Sequence, residues 1–205
     1  MKELMIRRYV RIVPDAVVLD GRRLDVGESG SALLARLYRD HVKDYPKFFK
    51  MDAVCKLGFL ATELLVGDEP GRFTPREDRA VLLTSRSGPL SDDRNYQKTI
   101  AEEDYFPSPA LFVYTLANIV TGEIAIRNKY EGDTTAFELE RFDPAMLASL
   151  ITDAFADRIT TSAVCGWVEA VSADRFDCLL MLVEEGGAGE LRFNPETIAR
   201  LYDEI

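Results

Sequence analysis

The stretch Ser108-Pro-Ala-Leu-Phe-Val-Tyr-Thr-Leu-Ala-Asn-Ile-Val-Thr-Gly-Glu-Ile-Ala-Ile-Arg127, followed by Glu131-Gly-Asp-Thr-Thr-Ala136, decides the fold. A serine followed by proline is typical of a helix N-terminus, and the run that follows is apolar on nearly every side. Asn118 and Gly122 can break this helix into two pieces. Because such a helix has almost no polar face, we expect it to be enclosed on most sides, with a strand from Thr134 to Leu139 after it.

Strand and helix patterns alternate along the rest of the chain. Alternating or continuous apolar runs predict strands within residues 5–19, 80–83, 163–171 and 176–183. Caps and a helical period predict helices at about residues 31–41, 52–66, 144–155 and 195–202, and residues 68–78 and 89–107 are predicted to be irregular. This order predicts one α/β domain spanning residues 1–205, a three-layer structure with a mixed five-stranded sheet and helices on both faces.

The charge balance limits the partners. There are 35 Asp and Glu residues and 25 Lys and Arg residues, which gives a formal net charge of −10. A surface this negative repels phosphate backbones and anionic lipids, so we predict no nucleic-acid partner and no membrane partner. Scattered basic side chains near the N-terminus leave no signal-peptide apolar region, and the apolar stretch 109–120 is too short to cross a bilayer. We therefore expect a soluble, cytoplasmic protein.

The residue types that usually carry chemistry form no catalytic pattern. His41 is the only histidine, which excludes any site within this chain that needs two imidazoles, and its spacing predicts the inner face of the first helix. Cys55, Cys165 and Cys178 are far apart, form no Cys-x-x-Cys pair, and fall in segments predicted to be core. The acidic run 102–104 is more typical of a solvated capping loop than of a cation site. We predict no metal site and no cofactor.

Three stretches resemble the N-terminal half of the β-ketoacyl synthases, which belong to the thiolase-like superfamily. Lys50-Met-Asp-Ala-Val-Cys-Lys-Leu-Gly-Phe-Leu-Ala61 resembles an early helix of that family, and Arg79-Ala-Val-Leu-Leu-Thr-Ser85 resembles the strand that follows it. Residues 108–136 are similar to the family's Pro-Asn-x-x-x-Gly-x-Ile-Ala-Ile helix and to the strand that leads to the nucleophile. The resemblance implies a thiolase-like half fold.

The departures from the family pattern bear on function. The resemblance implies a nucleophilic cysteine where this strand ends and a helix begins, but the aligned position falls near Arg141, and no cysteine lies within ten residues of it. It also implies two catalytic histidines in a second half that this chain does not contain. Condensation needs both the thiolate and the imidazoles. We therefore predict a catalytically inactive accessory or partner subunit in fatty-acid, polyene or polyketide-type biosynthesis.

The resemblance also implies a partner. In the complete enzymes two such halves stack, and the family dimerises through the strand before the nucleophile. A single half is expected to leave an apolar surface uncovered, and such a surface usually marks an interface. We predict a homodimer, or a heterodimer with a full-length ketosynthase. Its interface residues are Phe112, Leu116 and Ile119 on the helix, and Thr134, Ala136 and Leu139 on the strand.

Two other functions stay open at this point. One is an enzyme that acts on an acyl thioester, with a site relocated to the C-terminal strand ends. This site would consist of Ser85, Arg86, Ser87 and Asn118. The other is a module that binds an acyl carrier protein through a basic patch of Arg7, Arg8 and Arg11, for which a solvated strand face is the more ordinary explanation.

Overall fold

The computed structural model describes residues 2–100, 106–187, 189 and 191–205. The strands within them are β1 (Leu4–Val13), β2 (Ala16–Leu19), β3 (Arg22–Arg23), β4 (Arg79–Ser85), β5 (Thr134–Glu138), β6 (Ser162–Ser172), β7 (Arg175–Glu185) and β8 (Leu191–Arg192). The helices are α1 (Gly30–His41), α2 (Ala53–Val66), α3 (Leu90–Gln97), α4 (Pro109–Val113), α5 (Ile119–Asn128), α6 (Pro144–Ala154) and α7 (Pro195–Tyr202). Short 3-10 helices occupy Pro46–Lys50 and Phe155–Asp157. The predicted α/β class is confirmed.

All described strands belong to one mixed sheet. Its order is β3-β2-β1-β7-β6-β4-β5, and β8 pairs with β1 beside this path. β4 is parallel to both β5 and β6, whereas β6 with β7, β7 with β1, and β1 with β2 are antiparallel. One border of the sheet is therefore β5, and the opposite border is formed by the two-residue strands β3 and β8.

The prediction of five strands is wrong in number, because the described residues form eight. The run at residues 5–19 divides into β1 and β2 at a turn on Pro14 and Asp15. β3 and β8 contain two residues each, and a strand that short shows no alternation in sequence. The other predicted strands correspond to β4, β5, β6 and β7.

Helices cover both faces of the sheet, as predicted. One layer contains α1, α2 and α5, and the other contains α6 and α7. In α7, Ile198 and Leu201 are buried against the sheet and α6, while Glu196 and Arg200 are exposed. The C-terminal helix therefore closes this second face with a charged outer surface.

The apolar stretch that decides the fold is broken into α4 and α5. The Ser108 side chain accepts a hydrogen bond from the backbone of Leu111 and so caps α4. A turn then leads to Asn118, the residue before α5, and Gly122 lies inside α5. Asn118 therefore marks the break, and Gly122 does not.

Enclosure of this stretch is only partial. Val120 and Ile124 of α5 are buried, as the apolar pattern predicts. Phe112 in α4 and Leu116 in the turn are 50% and 47% exposed. The expectation of a helix enclosed on most sides is therefore correct for α5 and wrong for the segment before it.

Two local predictions are wrong. α3 lies within the segment predicted to be irregular, because its sequence Leu-Ser-Asp-Asp-Arg-Asn-Tyr-Gln has no apolar stripe. His41 is exposed rather than on the inner face of α1. The helix ends at that residue, and Val42 turns inward in its place.

Candidate functional site

The loop after β4 is held by one carboxylate. Glu169 Oε2 accepts hydrogen bonds from Ser85 Oγ at 2.8 Å, from Arg86 N at 2.8 Å and from Ser87 N at 3.0 Å. Ser85 Oγ in turn accepts a hydrogen bond from Gly88 N at 3.1 Å. We call Ser85, Arg86, Ser87 and Glu169 the strand-end cluster. It brings together three of the four residues predicted for a relocated site.

The sheet register explains the strand-end cluster. β4 and β6 are adjacent and parallel, with Thr84 opposite Trp167. The carboxyl ends of both strands therefore lie at the same end of the sheet. Glu169 is 9% exposed. Burial disfavours its charged form, but the hydrogen bonds donated by Ser87, Ser85 and Arg86 outweigh burial and hold the pKa of this carboxyl below its ordinary value. Glu169 is therefore a charged acceptor that fixes the loop.

Asn118 does not join the strand-end cluster. It is exposed at the start of α5, where its side chain makes no capping bond and its carbonyl accepts a hydrogen bond from Thr121 Oγ1 at 2.9 Å. Its neighbour Ala117 lines a small crevice with Ser85 and Gly88. The volume of this crevice is about 10 Å³, which is near the minimum for one water molecule. The predicted residues therefore do not assemble into a substrate-sized pocket.

Two buried polar atoms, one in the strand-end cluster and one beside it, have no hydrogen-bond partner among the described residues. They are Trp167 Nε1 and Glu169 Oε1, both buried and two positions apart on β6. The Trp167 ring meets Phe142 edge to face with centroids 5.9 Å apart, and Phe142 stacks on Tyr202 at 3.8 Å. Aromatic rings therefore pack beside Trp167 next to the connection from β5 to α6.

The start of α6 is the place where the family resemblance implies a nucleophile. Asp143 caps this helix, and its Oδ1 accepts hydrogen bonds from Ala145 N at 3.0 Å and Met146 N at 2.9 Å. Arg141 is exposed just before it. The Asp143 carboxylate therefore accepts the backbone N–H groups at the start of α6, which would otherwise be available to stabilise a thiolate.

The cysteines are structural. Cys55 lies in α2, Cys165 in β6 and Cys178 in β7, and each is free and buried. Burial raises the pKa of all three thiols, so none is poised as a nucleophile. Their predicted position in the core is confirmed.

The predicted interface residues lie on one side of the molecule. Thr134, Ala136 and Leu139 are on or directly after β5, the border strand. Phe112 and Leu116 are about half exposed, and Ile119 is partly buried against the core. Among the described residues, no strand pairs with the outer side of β5, and part of the apolar surface at these positions is exposed.

The three arginines of the predicted carrier-protein patch are already paired with carboxylates. A bulge in β1 shifts its register between Ile6 and Arg8, and it places Tyr9 on the same face as Ile6. The pairs are Arg7 with Glu184 at 3.0 Å, Arg8 with Asp20 at 2.9 Å and with Asp68 at 2.5 Å, and Arg11 with Asp177. Arg11 is 6% exposed, so these side chains do not form a free basic surface.

Two further properties concern the part of the chain that the structure describes. No group of three or more His, Cys, Asp or Glu side chains comes together there in a way that could hold a metal ion. None of the helices there is both long and apolar enough to cross a bilayer. The acidic run 102–104 lies outside the described residues.

Comparison with known proteins identifies the fold. No family model and no curated protein matches the sequence. The structure, however, superimposes on the ishigamide ketosynthase/chain length factor with a TM-score of 0.66 over 92% of this chain, at 18% sequence identity. The fold is that of the ketosynthases and chain length factors. The thiolase-like half fold that the sequence implied is therefore confirmed.

Other solved structures give the same result. One of them is the complex of the ketosynthase ApeO with its chain length factor ApeC from Xenorhabdus doucetiae. A chain of that complex matches 98% of the present chain with a TM-score of 0.57 and 13% sequence identity, and the match covers 91% of that chain. The AntDE:AntF complex, a type II PKS acyl-carrier protein with its ketosynthase, matches 90% of this chain with a TM-score of 0.58 and 10% identity. The present chain spans 64% of the ishigamide chain and 63% of the AntDE:AntF chain.

Proposed function

We propose that this chain is a non-catalytic subunit that pairs with a ketosynthase, or with a second copy of itself, in fatty-acid, polyene or polyketide-type biosynthesis. The observation that carries the proposal is the filled strand-end cluster. Glu169 occupies the backbone N–H groups of Arg86 and Ser87, which would otherwise be free to stabilise an anionic intermediate. The adjacent crevice, with a volume of about 10 Å³, has no space for an acyl chain. These features favour a subunit that binds another protein over a subunit that catalyses a reaction.

The start of α6 supports the same proposal. A condensing enzyme of the family that this chain resembles would carry a thiolate at this helix N-terminus. Here Asp143 accepts the helix N–H groups, and the three cysteines are buried elsewhere. Acylation at the family position therefore has no nucleophile within this chain.

The free border of the sheet supports pairing with another protein. In a parallel ladder alternate residues bond to the neighbouring strand. Val81 N donates to Asp133 O and Leu139 N donates to Ser85 O, both at 2.8 Å. Residues between these positions, such as Ala136, therefore direct their backbone N–H and C=O groups away from β4. A partner strand could bond to them.

The relatives by fold support a ketosynthase as one partner. Two of the solved structures are named as complexes of a ketosynthase, one with a chain length factor and one with an acyl-carrier protein. The matching chain in the ApeO–ApeC complex is close in length to the present chain, because the match covers 98% of the present chain and 91% of the ApeO–ApeC chain. A subunit of this size with this fold therefore occurs in such an assembly.

The alternatives receive less support. The relocated enzyme would need Asn118 beside the strand-end cluster and a pocket for its substrate, and the structure offers neither. The carrier-protein module would need Arg7, Arg8 and Arg11 to be free, and all three have carboxylate partners. We therefore retain the partner subunit as the proposal.

An acylation assay tests the absence of catalysis. The purified chain is incubated with acetyl-coenzyme A or malonyl-coenzyme A, and its intact mass is measured. We expect no covalent adduct, because the thiols are buried and their pKa is raised. Alkylation of the unfolded chain at its cysteines is the positive control for thiol detection. An acyl group on any cysteine of the folded chain would instead favour the enzyme.

A further inference from the structure

The segment from Phe106 to Ile119 has a single buried side chain, that of Tyr114. α4 contains no buried residue, and α3 beside it contains only Asp92. Tyr114 is 5% exposed and belongs to the apolar core on the α2 side of the sheet. It lies in the turn between α4 and α5. The position of the exposed residues around Tyr114 therefore depends on how this side chain is held.

Two of these exposed residues, Phe112 and Leu116, belong to the predicted interface, and we call them the α4 surface. They precede and follow Tyr114 in the chain, and they are 50% and 47% exposed. Phe112 also contacts Tyr96 of α3, with ring centroids 5.4 Å apart. This contact joins α4 to α3, which is itself mostly exposed. Tyr114 is therefore the buried link between the α4 surface and the core.

A carboxylate on α5 holds the Tyr114 hydroxyl. Glu123 Oε1 accepts a hydrogen bond from Tyr114 Oη at 3.3 Å, and Glu123 Oε2 accepts one from Tyr45 Oη at 3.2 Å. Lys47 Nζ lies 2.6 Å from Glu123 Oε1. Burial and the negative charge of Glu123 raise the pKa of the Tyr114 hydroxyl, which favours its protonated, donating form. One carboxylate thus joins the turn after α4 to the segment before α2.

The location of Glu123 is unusual for an acidic residue. It is 3% exposed, on the side of α5 that also carries the buried Val120 and Ile124. Burying a carboxylate costs free energy unless an opposite charge and hydrogen bonds compensate it. Lys47, whose side chain is 47% exposed, provides the charge, and the two tyrosines provide hydrogen bonds. An apolar residue would pack here without that cost, so packing alone does not account for a glutamate.

We propose that Glu123 is the positioning residue of the α4 surface. Through the Tyr114 hydroxyl it fixes the turn after α4, and so it holds Phe112 and Leu116 in the orientation in which a partner chain contacts them. A surface that adopts the binding orientation only part of the time binds with an affinity reduced by the same fraction. The inference rests on the proposed function, because it assigns a partner to the α4 surface.

The Tyr114→Phe variant tests the inference, because it removes the hydroxyl and keeps the ring. Sedimentation equilibrium measures pairing of the chain alone and of the chain with a ketosynthase from the same organism. We expect the dissociation constant to rise roughly three- to tenfold. The matched control is Tyr9→Phe, because Tyr9 is 7% exposed, lies on the other face of the sheet and donates to Glu204 Oε1 at 2.9 Å. An equal rise in both variants would overturn the inference.

A double-variant cycle links the effect to Glu123. Glu123→Gln keeps the shape of the side chain but removes its charge, and we expect it to weaken pairing as well. The double variant of Tyr114→Phe with Glu123→Gln should pair about as well as Glu123→Gln alone, since both changes act on one hydrogen bond. Additive losses would show that Tyr114 and Glu123 act separately, which would contradict the inference.

Hydrogen exchange separates this inference from the proposed function, because it needs no partner. In dilute protein, the backbone amides of residues 110–118 should exchange at least about threefold faster in Tyr114→Phe than in the unchanged chain, while those of α6 keep their rates. Faster exchange confined to this segment supports the positioning role of Glu123 even if pairing is absent, and absent pairing would reject the proposed function instead. Unchanged exchange at residues 110–118 would overturn the inference whether or not the chain pairs.

Discussion

At the scale of single residues, Glu169 decides the conformation of the loop after β4. One of its oxygens accepts three hydrogen bonds from consecutive residues, so the loop can change only if the carboxylate moves. The sequence predicted Ser85, Arg86 and Ser87 but missed Glu169, because the pairing of β4 with β6 is a tertiary contact between residues more than eighty positions apart. The available signal was a lone acidic residue inside an otherwise apolar strand.

The substitution Glu169→Gln should destabilise the chain by about 1–2 kcal/mol at neutral pH, since an amide oxygen accepts the same hydrogen bonds without charge. The folded pKa of Glu169 lies below its unfolded value. Its stabilising contribution is therefore present above the ordinary glutamate pKa and is lost as pH falls through the folded pKa. Urea unfolding of both proteins over this pH range checks the prediction. A constant difference in unfolding free energy at all pH values would contradict it.

At the scale of elements, the contact between α2 and α5 depends on a glycine. A Cβ added at Gly58 in α2 would lie 2.6 Å from Val120 Cγ2 in α5. Gly122, inside α5, has no atom within 4 Å of its added Cβ. The two glycines look equivalent in the sequence, and only the packing of the helices separates them.

We therefore expect opposite effects from the same substitution. Gly58→Ala should lower the unfolding free energy by roughly 1–3 kcal/mol, because it overpacks a buried contact. Gly122→Ala should raise it by about 0.5–1 kcal/mol, because alanine favours a helix more than glycine does. Chemical denaturation of both variants checks this. Equal destabilisation by both would show that α5 is not packed on α2 as described.

Elements with an apolar period were predictable, and those without one were not. α2, α6 and α7 directly follow Asp52, Asp143 and Asn194, whose side chains cap them, close to where the sequence predicted these helices to start. α3 was missed because its residues are mostly polar, so its position depends on contacts that a local pattern does not contain. The break before α5 was predictable from Asn118. The apolar pattern indicated that Phe112 is enclosed, whereas the family resemblance placed it on an uncovered surface, and its 50% exposure agrees with the resemblance.

At the scale of the whole molecule, the uncovered apolar surface and the free border of β5 lie at the predicted interface. Leu116 is 47% exposed, and Ala136 directs its backbone N–H outward from the border strand. Leu116→Glu and Ala136→Pro should each weaken pairing at least about tenfold while the fold is kept, because the first removes apolar contact and the second removes a backbone donor. Val171→Glu, at a residue 40% exposed on β6, is the control.

Light scattering of the chain alone, and of the chain mixed with a ketosynthase from the same organism, measures this pairing. We expect the mass of two 23.0 kDa chains in the first case or of a mixed complex in the second. A monomer in both mixtures at micromolar concentration would contradict the proposed function. Loss of pairing in the control as well would locate the interface elsewhere.

The two borders of the sheet are unequal, and this limits how large an assembly can become. β5 has five residues, and alternate ones direct their backbone groups away from β4, whereas the opposite side ends in β3 and β8, which have two residues each, both of them arginine in β3. Short, charged strands resist the addition of further strands. A molecule with only one sheet edge available for strand pairing can bind one further chain through that edge, and no additional chain can be added there. If pairing uses β5 as proposed, we therefore expect closed two-chain complexes rather than fibres.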